Sequence, residues 1–251
     1  MKESIVFLHG IVGNKGAFKA ETDQLKDHYH CISYDFYEAD HLGDDHPLTI
    51  DTLLDQLYGQ FTKNNIQKAH LCALSYGCVV AMAFAQKYPD MVSSLTFIGG
   101  YCVDEPSTLR LNMETLLNDR AQYDYENWVK QYAQKNNPNK EQIPEDSEAI
   151  FVKSALYLHP NVFEKACRLQ FEFDYKKALK NIKAPVLWVM GEYDDIHIGT
   201  LGNLRQHLQH VEYREVKKAG HVAHIHQPET FLSLYKAFLV KLNNSTKKPV
   251  M

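Results

Sequence analysis

The sequence predicts an α/β protein built on a mainly parallel sheet, and three observations predict it. Short apolar runs with strand character alternate with helix-like segments along most of the 251 residues, the rhythm of βαβ crossovers with helices on both faces of a sheet. Several of those runs end in a small-residue or glycine motif carrying a reactive side chain. One long stretch, residues 101–182, abandons the rhythm.

The elements follow in order. Ser4-Ile-Val-Phe-Leu-His-Gly10 is an apolar strand ending in His-Gly, followed by Ile11-Val-Gly-Asn14. His30 to Tyr37 reads as a second strand. Ile50, Leu53, Leu54, Leu57, Tyr58 and Phe61 recur at three- and four-residue spacing, which predicts an amphipathic helix. Ala69–Leu74 is a third strand, and the Ala- and Val-rich run after Ser75 suits a buried helix ending at Tyr88-Pro89. Ser94–Gly99 is a fourth strand. A fifth opens after Pro185 and finishes at Gly191, with Glu192, Asp194 and Asp195 just beyond it. Val211–Val216 is a sixth, leading into Lys218-Ala-Gly-His221. Gln227-Pro228 opens a terminal helix whose apolar face is Phe231, Leu234, Tyr235, Phe238 and Leu242.

The junction at Ser75 is the most informative point. Ala73 lies two residues before the serine and Gly77 two after it. A nucleophile on a sharp strand-to-helix turn needs that spacing, because the crossing segments leave room only for small neighbours. Small-x-Ser-x-Gly alone arises by chance on the order of once in five chains of this length, and a helix merely capped by Ser75 is the plain alternative. The other motifs therefore carry the weight.

Taken together, His9-Gly10, Ala73-x-Ser75-x-Gly77, Gly191-Glu-Tyr-Asp194 and Gly220-His221 make the chain resemble the α/β-hydrolase fold family, specifically its capped, carboxylesterase-like serine hydrolases. They occur in the family's chain order of Ser, Asp, His. The resemblance covers essentially the whole chain, with Ala73 in place of the more common glycine. It implies a core domain of residues 1–100 and 183–251 and a helical cap of residues 101–182, inserted before the penultimate strand. About six strands are expected rather than eight, the family's opening antiparallel hairpin being absent. The cap region holds helix-like segments at Leu109–Leu117, Tyr125–Gln134, Glu148–Leu158 and Val162–Leu169. It also carries 11 of the 29 aromatics, Trp128, Tyr157, Phe171 and Phe173 among them. Most of these are expected to join cap to sheet, and a few to line an apolar pocket above Ser75.

The chemistry implied is acyl transfer through a triad. Ser75 would attack, His221 would take and return its proton, and Asp194 would orient the imidazole and stabilise the imidazolium. Backbone N–H groups of Ile11 and Tyr76 would form the oxyanion hole, and His9 would orient that loop. Alternatives stay open here. Asp195 or Asp104 could be the acid, and His224 or His226 the base. His41-x-x-Asp44-Asp45-His46 and His221-x-x-His224-x-His226 could be read as metal ligands, although neither spacing matches a helical His pair with a catalytic Glu. A C–C bond hydrolase, a lyase, an acyltransferase or a non-catalytic ligand-binding relative would share the motifs.

Composition bounds the rest. A net charge of −4 and the lack of a basic block beyond Lys247-Lys248 argue against nucleic acid as a partner. Apolar runs are too short for a membrane span, and residues 1–10 lack signal-peptide regions. Five scattered cysteines without a C-x-x-C pair suit buried thiols in a reducing cytoplasm. No cofactor and no metal are expected. The expected partner is a small apolar substrate, and the oligomeric state is left open.

Overall fold

A computed structural model of the protein describes residues 2–37, 48–103, 107–202 and 211–246. Six strands form one sheet: β1 (Ser4–Leu8), β2 (His30–Ser33), β3 (Ala69–Leu74), β4 (Val92–Ile98), β5 (Val186–Gly191) and β6 (Val211–Val216). Their order across the sheet is β2-β1-β3-β4-β5-β6, and every pairing is parallel. The chain thus starts mid-sheet, winds outward to β2, then crosses back over β1 and proceeds to β6. Parallel strands need long crossovers, and the helices supply them.

Alternation along the strands decides which helices they meet. In β1, Ile5 and Phe7 point to one face, where they pack with α1 (Lys19–Leu25) and α11 (Pro228–Thr246). Val6 and Leu8 point to the other, towards α2 (Ile50–Lys63) and α3 (Tyr76–Lys87). In β5, Leu187 and Val189 join the first face, and Val186, Trp188 and Met190 the second. Burial on both faces is why these strands read as continuous apolar runs. Helix α2 starts where Thr49 and Thr52 cap one another reciprocally, and it buries Leu53, Leu54, Leu57 and Phe61. Helix α3 is buried from Tyr76 through Ala85.

Between β4 and β5 the described residues form α4 (Thr108–Asn118), α5 (Tyr125–Asn136), α6 (Ser147–Ala155), α7 (Pro160–Glu172) and α8 (Tyr175–Asn181). Ser107, Asp124, Asp146 and Asp174 each accept a backbone N–H at the start of a helix. Trp128, Tyr132, Phe151 and Phe163 form one aromatic cluster joining α5, α6 and α7. Short helices α9 (Asp195–Ile198) and α10 (Ala223–His226) follow β5 and β6.

The second strand ends at Ser33 rather than Tyr37, because Tyr34, Phe36 and Tyr37 leave the sheet to pack around one another, with Phe36 against His9 and Tyr76. Helix α8, in a Lys-rich stretch, has no counterpart in the sequence reading; it packs against α3. No disulfide forms among the five cysteines, and four of them are buried. No helix among the described residues is long and apolar enough to cross a membrane.

Candidate active site

Ser75 has φ 51° and ψ −114°, in a region L-residues avoid. A non-glycine residue held there costs on the order of 1–3 kcal/mol, and the structure around it must enforce it. The enforcement is visible. Ser75 N–H donates to Ile98 O at the end of β4 (2.9 Å), and Cys78 N–H returns to Ser75 O (2.8 Å). A methyl on Gly77 would lie 2.5 Å from Leu8 O and 2.7 Å from His9 O, so the helix crosses β1 too closely for any side chain. Ser75 occupies the cap position of α3, yet its side chain caps nothing. Simple helix capping therefore does not explain this serine.

The loop after β1 lies beside it: a methyl on Gly10 would be 3.8 Å from Ser75 Cβ. His9 holds that loop. Its Nε2 accepts the Phe36 N–H (3.0 Å), so its proton is on Nδ1, which donates to Gly10 O (2.7 Å). Burial lowers the His9 pKa to about 4, keeping it neutral. Both ring nitrogens are committed to the backbone. The Ile11 backbone follows in a turn closed by Gly13 N–H to Gly10 O (2.9 Å). The Tyr76 N–H is the first of α3, where no acceptor exists within the helix and the dipole favours a negative charge.

Asp194 and His221 are brought together from the ends of β5 and β6. His221 Nδ1 lies 2.9 Å from Asp194 Oδ2, and since a carboxylate only accepts, the imidazole donates. Asp194 is buried, whereas Asp195 is exposed and accepts from Asn139 (2.7 Å). Burial alone would raise the Asp194 carboxyl. The two imidazoles beside it and their hydrogen bonds outweigh burial and hold it well below the usual carboxylate range. The second imidazole is His197, which the sequence reading missed. Its Nδ1 lies 2.6 Å from Asp194 Oδ1, and its ring stacks on His221 at 3.8 Å between centroids. The available signal was Asp194-x-x-His197, a spacing that puts both side chains on one side of a helical turn.

The other histidines of that region are separated from Asp194. His224 is buried between Phe18 (5.0 Å) and Phe231 (5.9 Å). His226 accepts the Gly220 N–H on Nδ1 (2.9 Å), so its Nε2–H donates to Ser147 on α6 (2.8 Å). The reading of His221, His224 and His226 as a metal group finds no support among the described residues. The one grouping there of three such side chains is Asp194, His197 and His221, in which both Nδ1 atoms are already bonded to the carboxylate. His41, Asp44, Asp45, His46, Asp104 and Lys247-Lys248 lie outside the described residues.

Ser75, Ile11, His197 and His221 face one cavity of about 440 Å³. Its far wall comes from the helices between β4 and β5: Leu109 and Met113, Tyr132 and Asn136, Phe151 and Gln170. Tyr101, bonded through its hydroxyl to Gln170, also faces it. Of the aromatics singled out in the sequence, Trp128 is buried with its indole N–H on Leu116 O (2.7 Å), and Tyr157 is exposed. Phe171 lies under Arg110 and Phe173 against Tyr175. The wall is fastened to the loops bearing Asp194 and His221. Asn139 donates to Tyr193 O (3.1 Å) as well as to Asp195, and Ser147 meets His226.

Residues 3–228 match the family model described as the alpha/beta hydrolase fold. The 3-oxoadipate enol-lactonase 1 of Acinetobacter baylyi is 24% identical over 242 residues, covering 94% of this chain and 88% of the lactonase. A thermophilic esterase from Thermogutta terrifontis superposes with a TM-score of 0.79 at 20% identity, over 96% of this chain and 91% of the esterase. MenH from S. aureus does so with a TM-score of 0.81 at 19% identity, over 96% and 94%. At these identities the two solved structures share the fold.

Proposed function

Because the chain belongs to the alpha/beta hydrolase fold family, a hydrolase family with esterases and lactonases among its similar members, we propose that it is a serine hydrolase of small or medium carboxylic esters, lactones included. The observation that carries this is the Asp194–His221 hydrogen bond at 2.9 Å facing the cavity into which the strained Ser75 opens. Ser75 attacks the carbonyl carbon, and its proton passes to His221 Nε2, the nitrogen left free by the bond to Asp194. The tetrahedral oxyanion is received by the N–H groups of Ile11 and Tyr76. The imidazolium then protonates the leaving alkoxide, and an acyl-enzyme forms. Water enters and attacks the acyl carbon as His221 takes its proton; the imidazolium then returns that proton to Ser75 Oγ as the ester bond breaks, releasing the acid and restoring the serine hydroxyl. Residues 101–182 act as the cap, excluding water so that these electrostatic interactions strengthen.

The cavity lining supports an uncharged substrate. Its described residues include Glu145 and Glu148 but no Lys or Arg, and Glu148 is already paired with Lys140 at 2.8 Å. A substrate carboxylate would lose its hydration without gaining a cation. The test is a panel of esters, lactones and thioesters assayed with Ser75→Ala as control. Turnover lost in that variant supports the proposal, and turnover retained in it overturns the proposal.

A further inference from the structure

We propose that His197 is a positioning residue of the active site, which fixes the Asp194 carboxylate through the oxygen that His221 leaves unused. The inference rests on the hydrolase reading above but concerns a residue which that mechanism does not use.

Asp194 has two oxygens, and each receives one imidazole: Oδ1 takes His197 Nδ1 at 2.6 Å, and Oδ2 takes His221 Nδ1 at 2.9 Å. With a single donor, the carboxylate could rotate about its Cβ–Cγ bond and carry the His221 ring with it. With two donors from different loops its plane is determined. The rings stack at 3.8 Å with 23° between planes, so His197 also bounds the face of His221 and limits its tilt.

His197 is itself held. It is buried at 5% exposure. Its carbonyl accepts from Thr200 Oγ1 (2.7 Å), which in turn accepts the Cys102 N–H (3.1 Å), and Tyr101 lies 5.4 Å from its ring. The titratable groups facing it are Asp194 on its own loop, His221 from the loop after β6 and Tyr101 after β4. His224 and His226 on α10 are further titratable groups near His221.

Charge distinguishes the two rings. A proton on each would place two cations 3.8 Å apart, which a single carboxylate does not offset. Burial, opposed by Asp194 and reinforced by His221, depresses His197. The neutral Nδ1–H tautomer of His197 therefore shares the carboxylate, while His221 accepts the proton from Ser75.

Two variants separate donor from ring. His197→Phe keeps a stacked ring and removes the donor; His197→Asn keeps an amide donor near the Nδ1 position and removes the ring. The readout is the rate of Ser75 labelling by a fluorophosphonate from pH 5 to 9, which needs no knowledge of the substrate. We expect His197→Phe to label at least about tenfold more slowly across the range, with His197→Asn recovering the rate to within about threefold. Labelling of His197→Phe at the rate of the unaltered protein would overturn the inference, and so would equal losses in both variants. If Ser75 is not labelled in the unaltered protein, the hydrolase reading itself has failed. The inference about His197 then stands or falls on ¹⁵N NMR of the imidazoles: an Nδ1–H tautomer for His197 bonded to Asp194 supports it, and an Nε2–H tautomer overturns it.

Discussion

Gly99 and His221 occupy a space in which only one of them can have a side chain. A methyl on Gly99 would lie 2.7 Å from His221 Nδ1 and 2.7 Å from His221 O, and Gly99 itself has φ 58°. The end of β4 is thus a floor on which the imidazole rests, next to the strand that ends in Ser75. Gly99→Ala must push His221 away from Asp194. We expect kcat to fall by at least about a hundredfold, since misplacing a reacting group by about 1 Å costs that much. Steady-state kinetics check it, with a far-UV spectrum to show that the fold persists.

Substrate charge gives the next expectation. No Lys or Arg is among the described residues lining the cavity, and Glu145 and Glu148 are. A neutral diester should therefore be hydrolysed with kcat/KM at least about tenfold above its half-hydrolysed monocarboxylate. Paired assays on the same acid decide it, and equal values would contradict the reading of the lining.

Substrate size follows from volume. A cavity of about 440 Å³ is in the ordinary range for small ligands, and residues of α4 to α7 line it opposite Ser75. Esters of about two to eight acyl carbons should have higher kcat/KM than long-chain lipids, without a rate jump at a lipid–water interface. Steady improvement to sixteen carbons would contradict this.

Stability depends on a carboxylate that does not line the cavity. Glu21 in α1 is buried, and burial, opposed by a backbone hydrogen bond, raises its pKa to about 7 from an ordinary 4.5. Between those values the native state binds more protons than the unfolded one, so this group lowers stability as pH rises from about 4.5 to about 7, and no further above it. Its full contribution is roughly 3 kcal/mol, at about 1.36 kcal/mol per pKa unit. Glu21→Gln removes that dependence. Denaturant titrations should show the variant gaining most of that relative to the unaltered protein between pH 5 and pH 8. Histidines titrating in the same window are common to both proteins and cancel.

The central strands β1, β3 and β5 were legible because burial on both faces leaves no polar alternation to disguise them. Ser75 was legible because Ala73 and Gly77 record the closeness of the crossing to Leu8 and His9. Tyr34–Tyr37 reads as strand for the same apolar reason, but its side chains serve to pack His9 and Tyr76 rather than to extend the sheet. The contacts of Asn139, Ser147 and His226 join residues far apart in sequence, and loop polarity has no period to reveal them. His197 follows the acidic run at Glu192–Asp195, and its pairing with Asp194 and His221 becomes visible only once β5 and β6 are set side by side.

The most direct test of the proposed chemistry is active-site labelling with a fluorophosphonate, followed by mass spectrometry of the modified peptide. The account predicts a single adduct on Ser75, no adduct in Ser75→Ala, and ester turnover reduced in that variant by at least about a thousandfold. An adduct that persists in Ser75→Ala, or turnover that survives without the serine, would contradict it.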